Sequence, residues 1–427
     1  PRLTSAAVRS SSVSPLVRPV LVRGTMPKGP LKHSIAHQFR KARACYVDLP
    51  HGRIPTPIYM PVGTQGTMKG ITSQELKEIG PPIILSNTYF LGQHPGKEVL
   101  TKVGGLHSFM QWSGNILTDS GGFQMVSLLD LSEVTEEGVS FISPVTGKRE
   151  LLTPEESIRI QQSIGSDIMM CLDDVISATL QDRPRIEEAS LRTTRWLDRC
   201  ISAHTNPQQC LFGIIQGHMD ISEGGLREQC VRDIVDRRDS LGGVAIGGLS
   251  GGEAKDDFWR VVARCCELLP PDLPRYCMGV GVPLDLVVCA CLGVDMFDCV
   301  YATRTGRFGT ALVPSGTLNL RHTAFIGDQR PLEVGCPCPC CKGGLSRAYL
   351  RSVLYAKSTV AGQLVSQHNI SYLLRLMGRI RSSIVDETLD AEVRSFLVAM
   401  YPRGYDTVDQ WARDALEYAG LDLSPTW

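Results

Sequence analysis

Two short acidic segments and one cysteine cluster hold the residue types with chemistry to offer. The segment Leu117-Thr118-Asp119-Ser120-Gly121-Gly122-Phe123-Gln124 places an aspartate ahead of a Ser-Gly-Gly run, with an aromatic face at Phe123. Such a backbone can approach a ligand closely. The second segment, Asp295-Met296-Phe297-Asp298-Cys299-Val300, sets an aspartate in apolar surroundings and runs on to Thr303, Arg304 and Arg307. By residue type alone, either aspartate serves equally well as a helix cap or an arginine's counter-charge. The third feature is Cys336-x-Cys338-x2-Cys341 in a proline-punctuated loop, with His368 following after a helix-like stretch. Three thiolates and one imidazole match a closed four-coordinate zinc site, structural because no position remains for water. Cys340, next to Cys341, competes with it on spacing.

The elements that must position these residues show in the apolar runs. Eight of them read as buried strands: 57–61, 83–87, 115–119, 167–173, 211–216, 243–247, 275–279 and 294–298. Amphipathic stretches such as Pro154 to Ile164 and Ile186 to Ala203 lie between them, an alternation that predicts parallel βα units. Nearly every run ends on small or polar residues: Asn87-Thr88, Asp119-Ser120, Asp173-Asp174, Gln216, Gly247-Gly248, Gly279 and Asp298. Eight parallel strands closed on themselves would gather those ends on one face, which predicts an α/β protein with a (β/α)8 TIM barrel. An open doubly wound sheet is the alternative.

A hairpin is expected across Val139 to Leu152 around a turn at Gly147, with Lys148 and Arg149 facing water and phosphate as the alternative partner. Thr310 to Val313 and Leu318 to Leu320 read as short strands, and Leu373, Met377, Ile380 and Ile384 as the core face of a helix. The expected organisation is a leader over 1–33, a catalytic barrel over 34–312, a zinc-binding subdomain over 313–370, and C-terminal helices over 371–427 packing on the barrel.

Composition narrows the class. Forty-four basic side chains balance forty-four acidic ones, so a nucleic-acid partner would have to meet a local basic surface. The fifteen cysteines lie scattered in apolar runs, unlike a disulfide framework, and point to a reducing compartment. No apolar run reaches the roughly 20 residues of a membrane-spanning helix. From Pro1 to Tyr46 there is no acidic residue, while arginines and lysines sit among serines and prolines. That stretch reads as an unstructured tail, as leader upstream of Met26, or as an organelle transit peptide.

The motifs resemble the tRNA-guanine transglycosylases, and among them the eukaryotic queuine enzymes. The matching segments are MPVGTQGTMKG at 60–70, TDSGGFQM at 118–125, QGxxD from Gln216 to Asp220, IGGLSGGE at 246–253, MGVG at 278–281, DMFDCV at 295–300 and the cysteine cluster. The likeness runs from about Ala36 to the C-terminal helices. It implies that guanine at the wobble position of tRNAs with G-U-N anticodons is replaced by queuine through a covalent intermediate. Asp298 would be the nucleophile and Asp119 the acid/base partner. Asp173 would accept from the purine's amine and ring N–H, Gln216 and the Gly248 backbone would donate to its carbonyl, and Phe123 and Met278 would stack on it. Gly251 stands where bacterial relatives carry a bulky aliphatic residue, which makes room for queuine's cyclopentenediol. Arg304, Arg307 and Thr303 match positions that contact the anticodon loop. The likeness also implies structural Zn2+ on Cys336, Cys338, Cys341 and His368, a heterodimer with a related non-catalytic subunit, and a cytoplasmic location with mitochondrial association as the alternative.

Departures fall at Phe90 and His94, where the family has histidine and arginine, and at Tyr301-Ala302. The alternative function is the non-catalytic tRNA-binding partner subunit, which would lack the nucleophile. A zinc hydrolase would need an open metal position, and a plain RNA binder would not need paired carboxylates.

Overall fold

The computed structural model describes residues 29–123, 132–143 and 146–423. Residues 1–28 of the expected leader, and Gln124 with Met125 of the TDSGGFQM motif, lie outside the described residues. The first element is an antiparallel sheet of β1 (Lys32–Phe39), β2 (Ala42–Leu49) and β3 (Gly52–Thr56). Then come β4 (Ile58–Gly63), β5 (Ile83–Ser86) and β6 (Asn115–Thr118), the first three barrel strands. A small antiparallel insert follows, β7 (Glu133–Val134), β8 (Val139–Ile142) and β9 (Arg149–Leu152), and Ile142 pairs with Arg149 as the hairpin reading requires. The barrel resumes with β10 (Ile168–Met170), β11 (Cys210–Ile215), β12 (Gly243–Ile246), β13 (Arg275–Cys277) and β14 (Met296–Cys299).

β14 pairs in parallel with β4, closing an eight-stranded parallel barrel in chain order, so the open-sheet alternative is excluded. Both faces of each strand are covered, which is why the strands read as nearly unbroken apolar runs. One face fills the interior with Met60, Leu85, Leu117, Met170, Phe212, Ile214, Ala245, Tyr276 and Met296. The other packs against the surrounding helices through residues such as Tyr59, Ile84, Ile116, Met169, Val244 and Phe297.

The β1–β3 sheet was not anticipated from sequence; its Val47, Leu49 and Ile54 plug the bottom of the barrel. Two buried carboxylates fasten that end. Arg43 of β2 pairs with Asp295, just before β14, and also donates to the carbonyls of Pro271 (2.9 Å) and Leu273 (2.7 Å). Asp167, just before β10, accepts from Ile116 N at 2.8 Å and is flanked by His51 (2.7 Å) and His107 (3.3 Å), whose rings stack 3.7 Å apart. Breaking a buried pair such as Arg43–Asp295 typically costs about 3–5 kcal/mol.

Beyond the barrel, β15 (Thr310–Val313) and β16 (Gly316–Asn319) form a hairpin leading to the cysteine loop. A long helix, Thr359–Val385, then carries His368 and, further along, the buried Leu373, Met377, Ile380 and Ile384. Its Asn369 ties the hairpin to the last barrel unit, accepting from Leu312 N at 2.8 Å and donating to Ala302 O at 3.0 Å. No helix among the described residues is long and apolar enough to cross a membrane.

Candidate active site and metal centre

Side chains alternate across a strand, so the inward positions of each barrel strand continue two residues on, at its C-terminal end. Leu85 is followed in this way by Asn87, Leu117 by Asp119, Ile214 by Gln216, Tyr276 by Met278 and Met296 by Asp298. These residues therefore surround one mouth, at the end of the barrel opposite the β1–β3 plug. Asp295 and Asp298, three apart in one motif, are separated by the length of β14: the first is sealed by Arg43 and the second faces the mouth.

Asp298 accepts two hydrogen bonds on the same oxygen. The Tyr276 hydroxyl donates to Oδ1 at 2.5 Å and Gly279 N at 2.9 Å. Burial pushes its pKa up, and these two donors pull against that shift. Oδ2 accepts no hydrogen bond among the described residues.

Asp119 is held by Asn87 Nδ2 on Oδ2 (2.5 Å) and by the backbone N–H groups of Thr88 (3.0 Å) and Gly121 (3.1 Å) on Oδ1. Burial pushes its pKa up to about 7 against those donors, and the Asp298 charge adds to the rise. Two carboxylates thus share one mouth, and the charge of Asp298 adds to the upward shift of Asp119.

Across the mouth, Asp173 is buried and pushed up to about 6, mainly by burial, with Asp174 adding to the shift. Gln216 Nε2 donates to its Oδ2 at 2.8 Å, and the Ser120 hydroxyl lies 3.4 Å from Oδ1. Gly248 has φ +69°, and a Cβ there would sit 2.4 Å from Gln216 Oε1, so only glycine lets this backbone lie against the amide. Met278 is half-buried beneath the mouth and Phe123 is 56% exposed at its rim. Gly251 lies in a loop whose amides, Ser250 N (2.6 Å) and Gly251 N (2.8 Å), donate to Glu253.

Arg304 and Arg307 lie on the helix Tyr301–Arg307 that leaves β14 directly. Arg304 is exposed, Arg307 half-buried, and neither has an acidic partner among the described residues. Thr303 on the same helix is 3% exposed and donates to Val300 O at 3.2 Å. Phe90 is half-buried beside Tyr89, and His94 is exposed.

The structure also brings in residues that the sequence reading left out as site groups: Tyr276, Ser120 and Glu253. Tyr276 was discoverable by its parity with Met278. The contacts of Glu253 and Ser120 depend on loop conformations that no periodicity encodes.

At the metal centre, His368 Nδ1 lies 3.6, 3.5 and 3.5 Å from the sulfurs of Cys336, Cys338 and Cys341. One nitrogen at nearly equal distance from three sulfurs is poor geometry for a single N–H. It matches a tetrahedral ion: bonds of about 2.3 Å to sulfur and 2.05 Å to nitrogen imply an S···N edge of about 3.6 Å. His368 Nε2 faces Leu312 O at 2.8 Å, which fixes its tautomer and leaves Nδ1 as the ligand atom. Arg375 donates to Cys336 Sγ at 3.3 Å. Cys340 is buried but outside this four-residue group, which removes it as a competitor.

The chain matches the family described as queuine tRNA-ribosyltransferase over residues 38–402. It is 51% identical over 390 residues to the queuine tRNA-ribosyltransferase catalytic subunit of Schizosaccharomyces pombe, spanning 90% of this chain and 95% of that one. It is 49% identical over 395 residues to the queuine tRNA-ribosyltransferase catalytic subunit of Caenorhabditis elegans, spanning 90% and 97%. The queuine tRNA-ribosyltransferase of Thermus thermophilus is 43% identical over 391 residues, spanning 92% and 99%. With these matches beside the closed barrel and the Cys3His cluster, this chain belongs to the queuine tRNA-ribosyltransferase family.

Proposed function

We propose that the chain replaces guanine at the wobble position of G-U-N tRNAs with queuine by two displacements at C1′ of the ribose. Asp298 Oδ2 attacks C1′, and the bond to guanine N9 breaks with its electron pair leaving on the base. Asp119 delivers the proton that the departing guanine takes up. The incoming base then loses a proton to Asp119, and its nitrogen displaces Asp298 from C1′. Two inversions give net retention, as in retaining glycosidases. The observation that carries this reading is the pair of carboxylates at one mouth with different surroundings. One has a free oxygen beside a donor-held one, and the other is pushed up to about 7.

Asp173 accepts from the base's amine and ring N–H, while Gln216 and the Gly248 N–H donate to its carbonyl; Phe123 and Met278 contribute stacking faces. Gly251 leaves room for the cyclopentenediol. Arg304 and Arg307 hold anticodon-loop phosphates, and Thr303 supports them by fixing their helix. Zn2+ on Cys336, Cys338, Cys341 and His368 is the resident ion; when bound it cross-links the subdomain and takes no part in the reaction. The fungal and nematode relatives are named catalytic subunits, which supports a heterodimer with a related non-catalytic chain. We place the protein in the cytoplasm.

The test is trapping on denaturing gels with wobble-guanosine tRNA. Wild-type protein should give an enzyme–RNA adduct that free base discharges. Asp298→Asn should lower exchange on the order of 10⁴-fold or more while still binding tRNA. Undiminished labelled-guanine incorporation by that variant removes Asp298 as nucleophile.

A further inference from the structure

Behind the base-reading side of the mouth lies a guanidinium that the chemistry above does not use. Arg227, in the first turn of the helix Leu226–Val235, is 0% exposed. It donates only to carbonyls: Nε to His218 O (2.7 Å), and Nη1 to Ile215 O (3.1 Å) and Gly247 O (2.8 Å). Nη2 is buried and has no hydrogen-bond partner among the described residues. An arginine stays charged in a protein, and a buried cation without a carboxylate beside it is costly. Such a cation is most simply retained where negative charge arrives.

Two of the three carbonyls it holds are those of the last β11 residue and of the first residue past β12, immediately before Gln216 and Gly248. In a trans peptide the C=O and the next N–H point in opposite directions. Drawing the Gly247 carbonyl down onto Arg227 therefore turns the Gly248 N–H away from it. A Cβ at Gly248 would lie 2.4 Å from Gln216 Oε1 and 3.3 Å from Arg227 Nη2, so all three groups are packed together.

We infer that Arg227 is a positioning residue for the exchanged base: it aims the Gly248 N–H at the base's carbonyl oxygen and favours the base when it carries negative charge. This rests on the base-exchange reading. When the C1′–N9 bond breaks, the electron pair spreads over the purine and onto its carbonyl oxygen until Asp119's proton arrives. The Gly248 N–H and the charge behind it stabilise that oxygen.

The experiment compares wild type, Arg227→Gln and Arg227→Lys for guanine exchange, with active sites counted by the trapped adduct. In Arg227→Gln, KM for free guanine should rise, and kcat per titrated site fall, by about tenfold each, one well-placed hydrogen bond's worth. KM for tRNA should stay within about twofold, because the effect is confined to the base. Arg227→Lys keeps the charge but not the fork, so it should recover part of kcat while its guanine KM stays raised. A purely structural role predicts fewer active sites with unchanged constants per site, and that result overturns the proposal. Should Arg227→Gln not fold, wild-type constants in Arg227→Lys overturn it equally. A wild-type protein that forms no adduct refutes base exchange itself; an active wild type with indifferent Arg227 variants refutes only this inference.

Discussion

Asn87 offers the sharpest handle on the proton chemistry. Its Oδ1 accepts Phe90 N–H at 3.0 Å as the N-cap of the helix Thr88–Leu91, so its Nδ2 is left to donate to Asp119 Oδ2 at 2.5 Å. That donor favours the ionised carboxylate and works against the burial that raises Asp119 to about 7. Serine at this position keeps a capping oxygen but cannot reach Asp119, so Asn87→Ser separates the two roles. A hydrogen bond to a charged group contributes about 1.5–3 kcal/mol, and 1.36 kcal/mol is one pKa unit. Asp119 in Asn87→Ser should therefore titrate roughly one to two units higher than in the wild type. The assay is single-turnover adduct formation without free base, followed between about pH 6 and pH 10. That step needs Asp119 protonated, so its rate falls as pH rises through the folded pKa, and the falling limb of Asn87→Ser should lie one to two units to the alkaline side. Stability follows the same sign. A carboxyl whose folded pKa exceeds its unfolded one contributes in full below the unfolded value and loses that contribution as pH rises through the folded one. The two proteins should thus unfold alike near pH 5.5 and differ by about 1.5–3 kcal/mol near pH 9, the variant being weaker. Superimposable rate profiles would refute the assignment of Asp119 as the proton donor set by this network.

Three further outcomes can be checked. Elemental analysis should find about one zinc per chain; His368→Ala should lose it and melt at lower temperature, while Cys340→Ser should retain it. In Gly251→Val, the new Cβ would meet the Ala178 methyl at 3.2 Å and two further carbons would fill the space beside the purine. Queuine incorporation should then fall by about tenfold or more with guanine exchange changed far less, as steady-state kinetics with each base would show. Arg304→Ala and Arg307→Ala should each flatten the dependence of log tRNA affinity on log salt by about 0.7, measured by filter binding across salt concentrations.

The proposed catalytic pair illustrates how far strand parity alone can reach. Leu117 with Asp119, and Met296 with Asp298, share parity on their strands, so each aspartate continues a barrel-filling face at a strand's end. The Cys336, Cys338 and Cys341 spacing was equally local, because a metal loop is set by short-range chain geometry. Which residues back those groups was not legible. Tyr276 reaches Asp298 from the neighbouring strand, Arg43 reaches Asp295 across 252 positions, and Arg227 holds two strand ends from a helix. Strand pairing and barrel closure create these contacts, and no short window of sequence contains both partners.

The sequence by itself determined the alternation of strands and helices, the polar strand ends and the thiol cluster, since each follows from periodicity or near-neighbour spacing. Only the tertiary structure decided that the β1–β3 sheet plugs the barrel, that Asp295 is architecture while Asp298 faces the mouth, and that burial pushes Asp119 up to about 7. Burial and the approach of a distant charge govern those three properties, and both come into being when the barrel closes.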